Sequence, residues 1–149
     1  MAIEPPKHAE DSPTVVVLHV EDDAAVANSV RMLLKTCGYQ TRTFTTAADA
    51  EGSVSDAGLR PDVLIVDYQL GEDETGTDVA ERIAETLGYS VPTIVLTGNL
   101  SNAEVPWMPG APILMAPKPM DGAQLIETVQ SFSALHRAAQ ARRAARAHS

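Results

Sequence analysis

Apolar residues in this chain gather in short continuous runs, separated by stretches in which they recur at helical spacing. Val15–Val20, Val63–Val66, Val91–Leu96 and Ile113–Ala116 are such runs, rich in Val and Ile. Runs of this length between helical patterns predict strands buried on both faces of a parallel sheet. From Ala24 to Cys37 the residues Val26, Val30, Leu33, Leu34 and Cys37 line one helical face, and Gly38 stands where a C-terminal cap belongs. A short strand is expected near Tyr39–Phe44. Thr46 can cap a second helix from Ala47 to about Ser55, weakened by Gly52 in its interior. Pro61 opens the third strand, which ends at Asp67, and Gly71–Gly76 is an acidic loop. The following helix carries Val79, Ile83 and Leu87 on one face and stops at Gly88. Pro92 and Pro112 introduce the fourth and fifth strands. Asp121 can cap a last helix striped by Leu125, Val129, Phe132 and Leu135.

One element is expected to be short. Between Leu100 and Ala111 there is room for barely a turn of helix, and Pro106 and Pro109 would break anything longer. The fourth helix is therefore predicted to be rudimentary or replaced by a loop. Trp107 there either packs over the sheet or stands exposed as a partner anchor.

Strand–helix alternation repeated about five times implies an α/β fold, a three-layer sandwich around a parallel sheet. With 149 residues the chain fits one core. Residues 1–13 read as a flexible leader, 14–135 as the domain, and 136–149 as an Ala/Arg-rich helical extension or tail. The formal charge of −9 argues against nucleic-acid binding by the domain body. After Glu127 there are no acids, but Arg137, Arg142, Arg143 and Arg146 follow, either as a solvated helix end or as a contact for an acidic partner. Cys37 is the single cysteine, which excludes an internal disulfide and points to a reducing compartment. No stretch approaches the roughly 20 apolar residues that span a bilayer, so a cytoplasmic protein without a membrane partner is expected. The last helix could pair with a second copy, giving a monomer or weak homodimer, although docking on the sheet explains its stripe equally.

Four of the five expected strands end in or lead into a reactive group. Glu21-Asp22 follow the first, Asp67 closes the third, Thr97 the fourth, and Lys118-Pro119 follow the fifth. Parallel strands bring these ends to one edge, where open α/β sheets bind ligands. Two carboxylates about 4 Å apart repel by roughly 4 kcal/mol at an effective dielectric of 20. A hard divalent cation such as Mg²⁺ or Mn²⁺ removes that penalty, and oxygen donors without His or Cys suit it better than zinc. Asp22 and Asp67 would hold it directly, with Glu21 through a water. Asp67 could then act as a nucleophile, since carboxylates form acyl phosphates. The Lys118 ammonium, the Thr97 hydroxyl and backbone N–H groups near Asn99 would meet the charge on the phosphoryl oxygens. Taken singly, Asp22 or Asp23 could be a helix N-cap, Asp67 a turn-former and Lys118 a solvated lysine. It is the ordered combination that carries the inference.

The strings VVVLHVEDD, PDVLIVDYQL, TIVLTGN and APKPM resemble the signature segments of bacterial response-regulator receiver domains, over roughly residues 14–135. The resemblance implies a flavodoxin-like (βα)₅ fold with strand order 2-1-3-4-5. It implies that Asp67 is phosphorylated by a histidine kinase or a histidine phosphotransfer protein. It matches Glu21 and Asp22 to the acidic pair, the backbone carbonyl of Gln69 to a metal ligand, Thr97 to the switch hydroxyl and Lys118 to the conserved-type lysine of the family. The Lys-Pro bond that follows is usually cis in the family. The phrasing LTGN…KPM with DYQLGEDETG is most similar to receivers of hybrid sensor kinases. The chain departs from the pattern in four places. Gly71 stands where many members have proline, the loop before Gly76 is one residue longer, Met115 occupies the position of a switch Tyr or Phe, and the shortened fourth helix removes surface that many receivers use for output.

The sequence therefore predicts a stand-alone phosphoacceptor signalling domain, not an enzyme beyond its own phosphorylation and dephosphorylation, with output through protein contacts. A receiver-shaped interaction module that is never phosphorylated is the alternative. A phosphatase with an Asp nucleophile would want a second carboxylate two residues later, where this chain has Gln69.

Overall fold

A computed structural model describes residues 14–71, 73–100 and 110–147. The elements, in order, are β1 (Val16–Val20), α1 (Ala24–Lys35), β2 (Gln40–Phe44), α2 (Ala47–Ser55), β3 (Val63–Asp67), α3 (Gly76–Leu87), β4 (Thr93–Thr97), β5 (Ile113–Pro117) and α4 (Gly122–Ala147). The five strands form one parallel sheet in the order β2-β1-β3-β4-β5. This is the expected doubly wound, flavodoxin-like arrangement. The residues expected to form at most a rudimentary helix before β5, with Trp107 among them, are 101–109 and lie outside the described residues, as does the leader 1–13.

Strand composition tracks position in the sheet. Every residue of β3 (VLIVD) and β4 (TIVLT) is buried, as interior parallel strands require. The edge strand β2 (QTRTF) alternates exposed and half-buried positions instead. Period-two alternation sends Leu18, Val20, Leu64, Val66 and Val95 to one face, against Ala50 and Val54 of α2 and Val79 and Ile83 of α3. Val17, Val63, Ile65, Ile94 and Leu96 face the other way, against Leu34 of α1 and Leu125 and Val129 of α4. Truncating one of these fully buried side chains to Ala would cost about 2–5 kcal/mol.

Caps fix where the helices begin and end. Asp23 accepts from the N–H groups of Ala25 and Val26 and starts α1. Thr46 starts α2, which forms despite Gly52, and Thr75 with Asp78 makes a reciprocal capping box on α3. Gly88 ends α3 at φ +84°, a left-handed conformation that glycine adopts without strain. Arg82 on α3 joins Glu51 of α2 at 2.6 Å and also pairs with Glu74. Among the described residues no helix is long and apolar enough to cross a membrane.

Candidate functional site

The carboxyl ends of β1, β3, β4 and β5 meet at one edge of the sheet, and the site lies there. Register does the assembling. Val20 sits beside Val66, Asp67 beside Leu96, and Thr97 beside Pro117. One residue beyond β1 and one beyond β5 therefore bring Glu21 and Lys118 to Asp67. The Lys118 ammonium lies 2.8 Å from Asp67 Oδ1 and 3.3 Å from Glu21 Oε2. Glu21 is fully buried and Asp67 nearly so.

The acidic run after β1 divides its labour. Asp23 is the helix cap, and its own N–H donates to Glu21 Oε1 at 3.2 Å. Asp22 is left exposed, with its carboxylate among the Glu21 and Asp67 oxygens. Ligand atoms of all three lie within 4.8 Å of one another. Glu21 Oε2 and Asp67 Oδ1 are buried, and the Lys118 ammonium meets them both. Burial, followed by the neighbouring Asp67 carboxylate, pushes the Glu21 carboxyl above its ordinary range. Burial pulls on Lys118 in the opposite sense, but its bond to Asp67 and the two carboxylate charges outweigh that and hold it above an ordinary lysine. The pocket thus carries more negative charge than its one ammonium neutralises. An all-oxygen donor set with two buried carboxylate oxygens fits a hard divalent cation.

Thr97 closes β4 with its side chain 6% exposed, and its hydroxyl accepts from the Asn99 N–H at 3.2 Å. The Lys118 N–H donates to the Thr97 carbonyl at 2.9 Å, tying the β5 exit to the β4 exit. The peptide bond Lys118–Pro119 is cis. Gln69 lies two residues past Asp67 in a loop closed by its bridge to Thr75, by Leu70 N–H to Glu74 O at 2.9 Å and by Gly76 N–H to Tyr68 O at 2.8 Å. A groove of about 570 Å³ opens beside Lys118 between α1 and the start of α4, lined by Val26, Ser29, Leu33 and Met120 among others. Met115 on β5 is half-buried and packs toward the α2/α3 side.

Two contributors were not singled out from sequence. A Cβ on Gly76 would lie 2.1 Å from the Asp67 carbonyl oxygen and 2.7 Å from Val66 Cγ2, so only glycine lets α3 begin against the end of β3. A glycine opening a helix immediately behind the acidic loop was the available signal. The second is His19 on β1, fully buried two residues before Glu21. Its ring is held down to about 4, first by burial, with Glu21 opposing and Lys118 assisting. A histidine inside an otherwise apolar strand was the signal.

Comparison with known proteins places these residues in context. Residues 17–130 match the family model described as the response regulator receiver domain. The chain is 31% identical over 94 residues to the response regulator protein TmoT of Ectopseudomonas mendocina, covering 62% of this chain and 40% of that protein. It is 32% identical over 92 residues to the transcriptional regulatory protein TrcR of Mycobacterium tuberculosis, covering 62% and 34%. The aligned part thus spans about a third to two fifths of these relatives. Among solved structures, the N-terminal domain of a response regulator/sensory box/GGDEF three-domain protein from Carboxydothermus hydrogenoformans superposes with a TM-score of 0.71 at 27% identity, over 83% of this chain and 97% of that one. A CheY-like receiver domain from Methylobacillus flagellatus shares the fold at a TM-score of 0.67 and 22% identity, over 80% and 99%.

Proposed function

The chain belongs to the response regulator receiver domain family, and from that premise we propose that Asp67 accepts a phosphoryl group from a phosphohistidine on a histidine kinase or phosphotransfer protein. The observation that carries this reading is the convergence of Glu21, Asp22, Asp67 and Lys118 on one strand edge, with buried carboxylate oxygens that nothing but an ammonium engages. A carboxylate so placed attacks phosphorus while the P–N bond to the donor imidazole breaks, giving an aspartyl phosphate and a free histidine.

The residues divide the work as follows. Glu21, Asp22, Asp67 and the backbone carbonyl of Gln69 would hold Mg²⁺ or Mn²⁺. That ion supplies charge neutralisation for the approaching phosphoryl oxygens. Lys118 already lies on Asp67 and stays with the phosphoryl group as it arrives, pairing with one of its oxygens. The Thr97 hydroxyl, now an acceptor from Asn99, can rotate and donate to another. Drawing Thr97 inward would move the segment that follows it, which is the signal a partner would read. The groove beside Lys118 offers the phosphodonor an apolar surface next to the acceptor. Signalling, rather than turnover of a substrate, is the role this gives the domain.

The test is incorporation of labelled phosphate from a small acyl phosphate, with and without a chelator. Incorporation that needs the divalent ion supports the reading. Incorporation that persists at full rate in chelator removes the metal assignment. No incorporation under any condition removes the phosphoacceptor, leaving a receiver-shaped interaction module.

A further inference from the structure

His19 breaks the rule that governs the rest of β1. The strand alternates Val17, His19 and Glu21 toward the α1/α4 side of the sheet, and Val17 belongs to the apolar core there. His19 has no exposed surface, and neither ring nitrogen has a hydrogen-bond partner among the described residues. A neutral imidazole carries one donor and one acceptor, and burying both without partners is unfavourable. Leucine or valine would suit the position better on packing grounds alone.

The neighbourhood explains why a polar group could be kept. His19 lies in register with Thr43 on β2 and Ile65 on β3. Thr43 Oγ1 and Thr41 Oγ1 are likewise buried without partners, and register places both on the face that His19 occupies. Two residues on, just past β1, comes Glu21, whose buried Oε2 has the Lys118 ammonium at 3.3 Å on its outer side. Two residues beyond Ile65 on β3 comes Asp67. Register therefore sets these polar groups in succession from the edge strand toward the acidic pocket. Buried water commonly bridges such groups, making about three hydrogen bonds apiece.

We propose that His19 is a positioning residue for the acidic pocket, its imidazole hydrogen-bonded through buried water to Thr43 on one side and to Glu21 Oε2 on the other. It fixes the direction of the Glu21 carboxylate from beneath, in the way outer partners orient metal-ligating groups elsewhere. This rests on the divalent-ion reading of the pocket given above. It adds a supporting layer that touches neither the ion nor the phosphoryl group.

The role predicts that stability and ion binding part company. His19→Leu exchanges the imidazole and its bridging water for apolar packing, so its midpoint in urea should stay level. Its Mg²⁺ dissociation constant, read from amide shifts of the loop after Asp67, should weaken about three- to tenfold. His19→Gln, which keeps a donor and an acceptor, should recover most of that affinity, and Thr43→Val should weaken it by a smaller factor. A third readout needs no metal. The ¹⁵N-labelled His19 ring should show one tautomer with a slowly exchanging N–H, and its shifts should move on Glu21→Gln. Wild-type Mg²⁺ affinity in His19→Leu overturns the proposal, as does a ring spectrum indifferent to Glu21→Gln. If the wild type itself binds no Mg²⁺, the divalent-ion reading fails, and the ring spectrum alone decides whether His19 and Glu21 are linked.

Discussion

The two ends of the sheet use the same residue types to opposite effect. At the amino end, Asp62 accepts from the Val16 N–H at 2.9 Å with one oxygen and meets Arg137 at 3.5 Å with the other. Around it, Tyr89 packs against His136 at 5.7 Å between ring centroids, and the Arg143 guanidinium lies 4.4 Å above the Tyr89 ring. These contacts pin the later turns of α4 to the body of the domain. At the carboxyl end, three carboxylates crowd around one ammonium, which meets two of their buried oxygens. At the amino end one carboxylate has a partner for each oxygen, whereas at the other three carboxylates share one ammonium. Such local mismatch in an otherwise well-packed fold is what a functional site is expected to show.

The largest effect expected on this contrast comes from Gly76. Gly76→Ala would drive a methyl group into the Asp67 carbonyl, and backbone cannot yield as a flexible side chain can. A loss of about 3 kcal/mol in urea unfolding is expected, the upper part of the usual overpacking range. A loss below the error of the measurement would show that the start of α3 is free to move off β3.

A matched pair of substitutions is a more pointed test. In the absence of divalent ions, Asp62→Asn should destabilise by about 1 kcal/mol, since it takes charge from a satisfied carboxylate. Asp67→Asn should stabilise by roughly 1 kcal/mol, because it relieves the repulsion that adds to burial in raising Glu21. Equal destabilisation by both would erase the distinction between the two ends.

The amino end should also govern part of the acid sensitivity. Burial holds the His136 ring below the ordinary histidine value of 6.5, against the pull of Asp62 and with help from Arg143 and Arg137. Below pH 6.5 the unfolded chain takes up this proton before the folded one does, so stability falls as pH drops from 6.5 through the folded value. The slope from this group is at most about 1.4 kcal/mol per pH unit. His136→Phe should flatten it, and an unchanged slope would place the sensitivity elsewhere. The smallest effect is expected from Arg143→Ala, about 0.5 kcal/mol for an exposed cation–π contact, with no change in Mg²⁺ affinity.

Much of this was legible in the sequence, for physical reasons. Buried parallel strands need unbroken apolar runs, so β1, β3 and β4 announced themselves. Glu21 came directly after the first run, Asp67 and Thr97 closed the next two, and Lys118 followed the run that became β5. The sheet order came through resemblance, since strand pairing between distant segments leaves no local trace. Which of Asp22 and Asp23 caps α1 was undecided in the sequence, because both are acids at adjacent positions, and only the backbone turn separates them. Gly76 marks only a loop end in the sequence and His19 only a strand position, because their importance lies in what stands opposite them, at Asp67 and at Thr43.

The claim that the unmatched carboxylates are a phosphoryl site is tested most directly by intact mass. Wild type, Asp67→Asn and Asp62→Asn are each treated with Mg²⁺ and a small acyl phosphate. The account predicts one added phosphoryl group on wild type and on Asp62→Asn, and none on Asp67→Asn. Wild-type labelling of Asp67→Asn would contradict it.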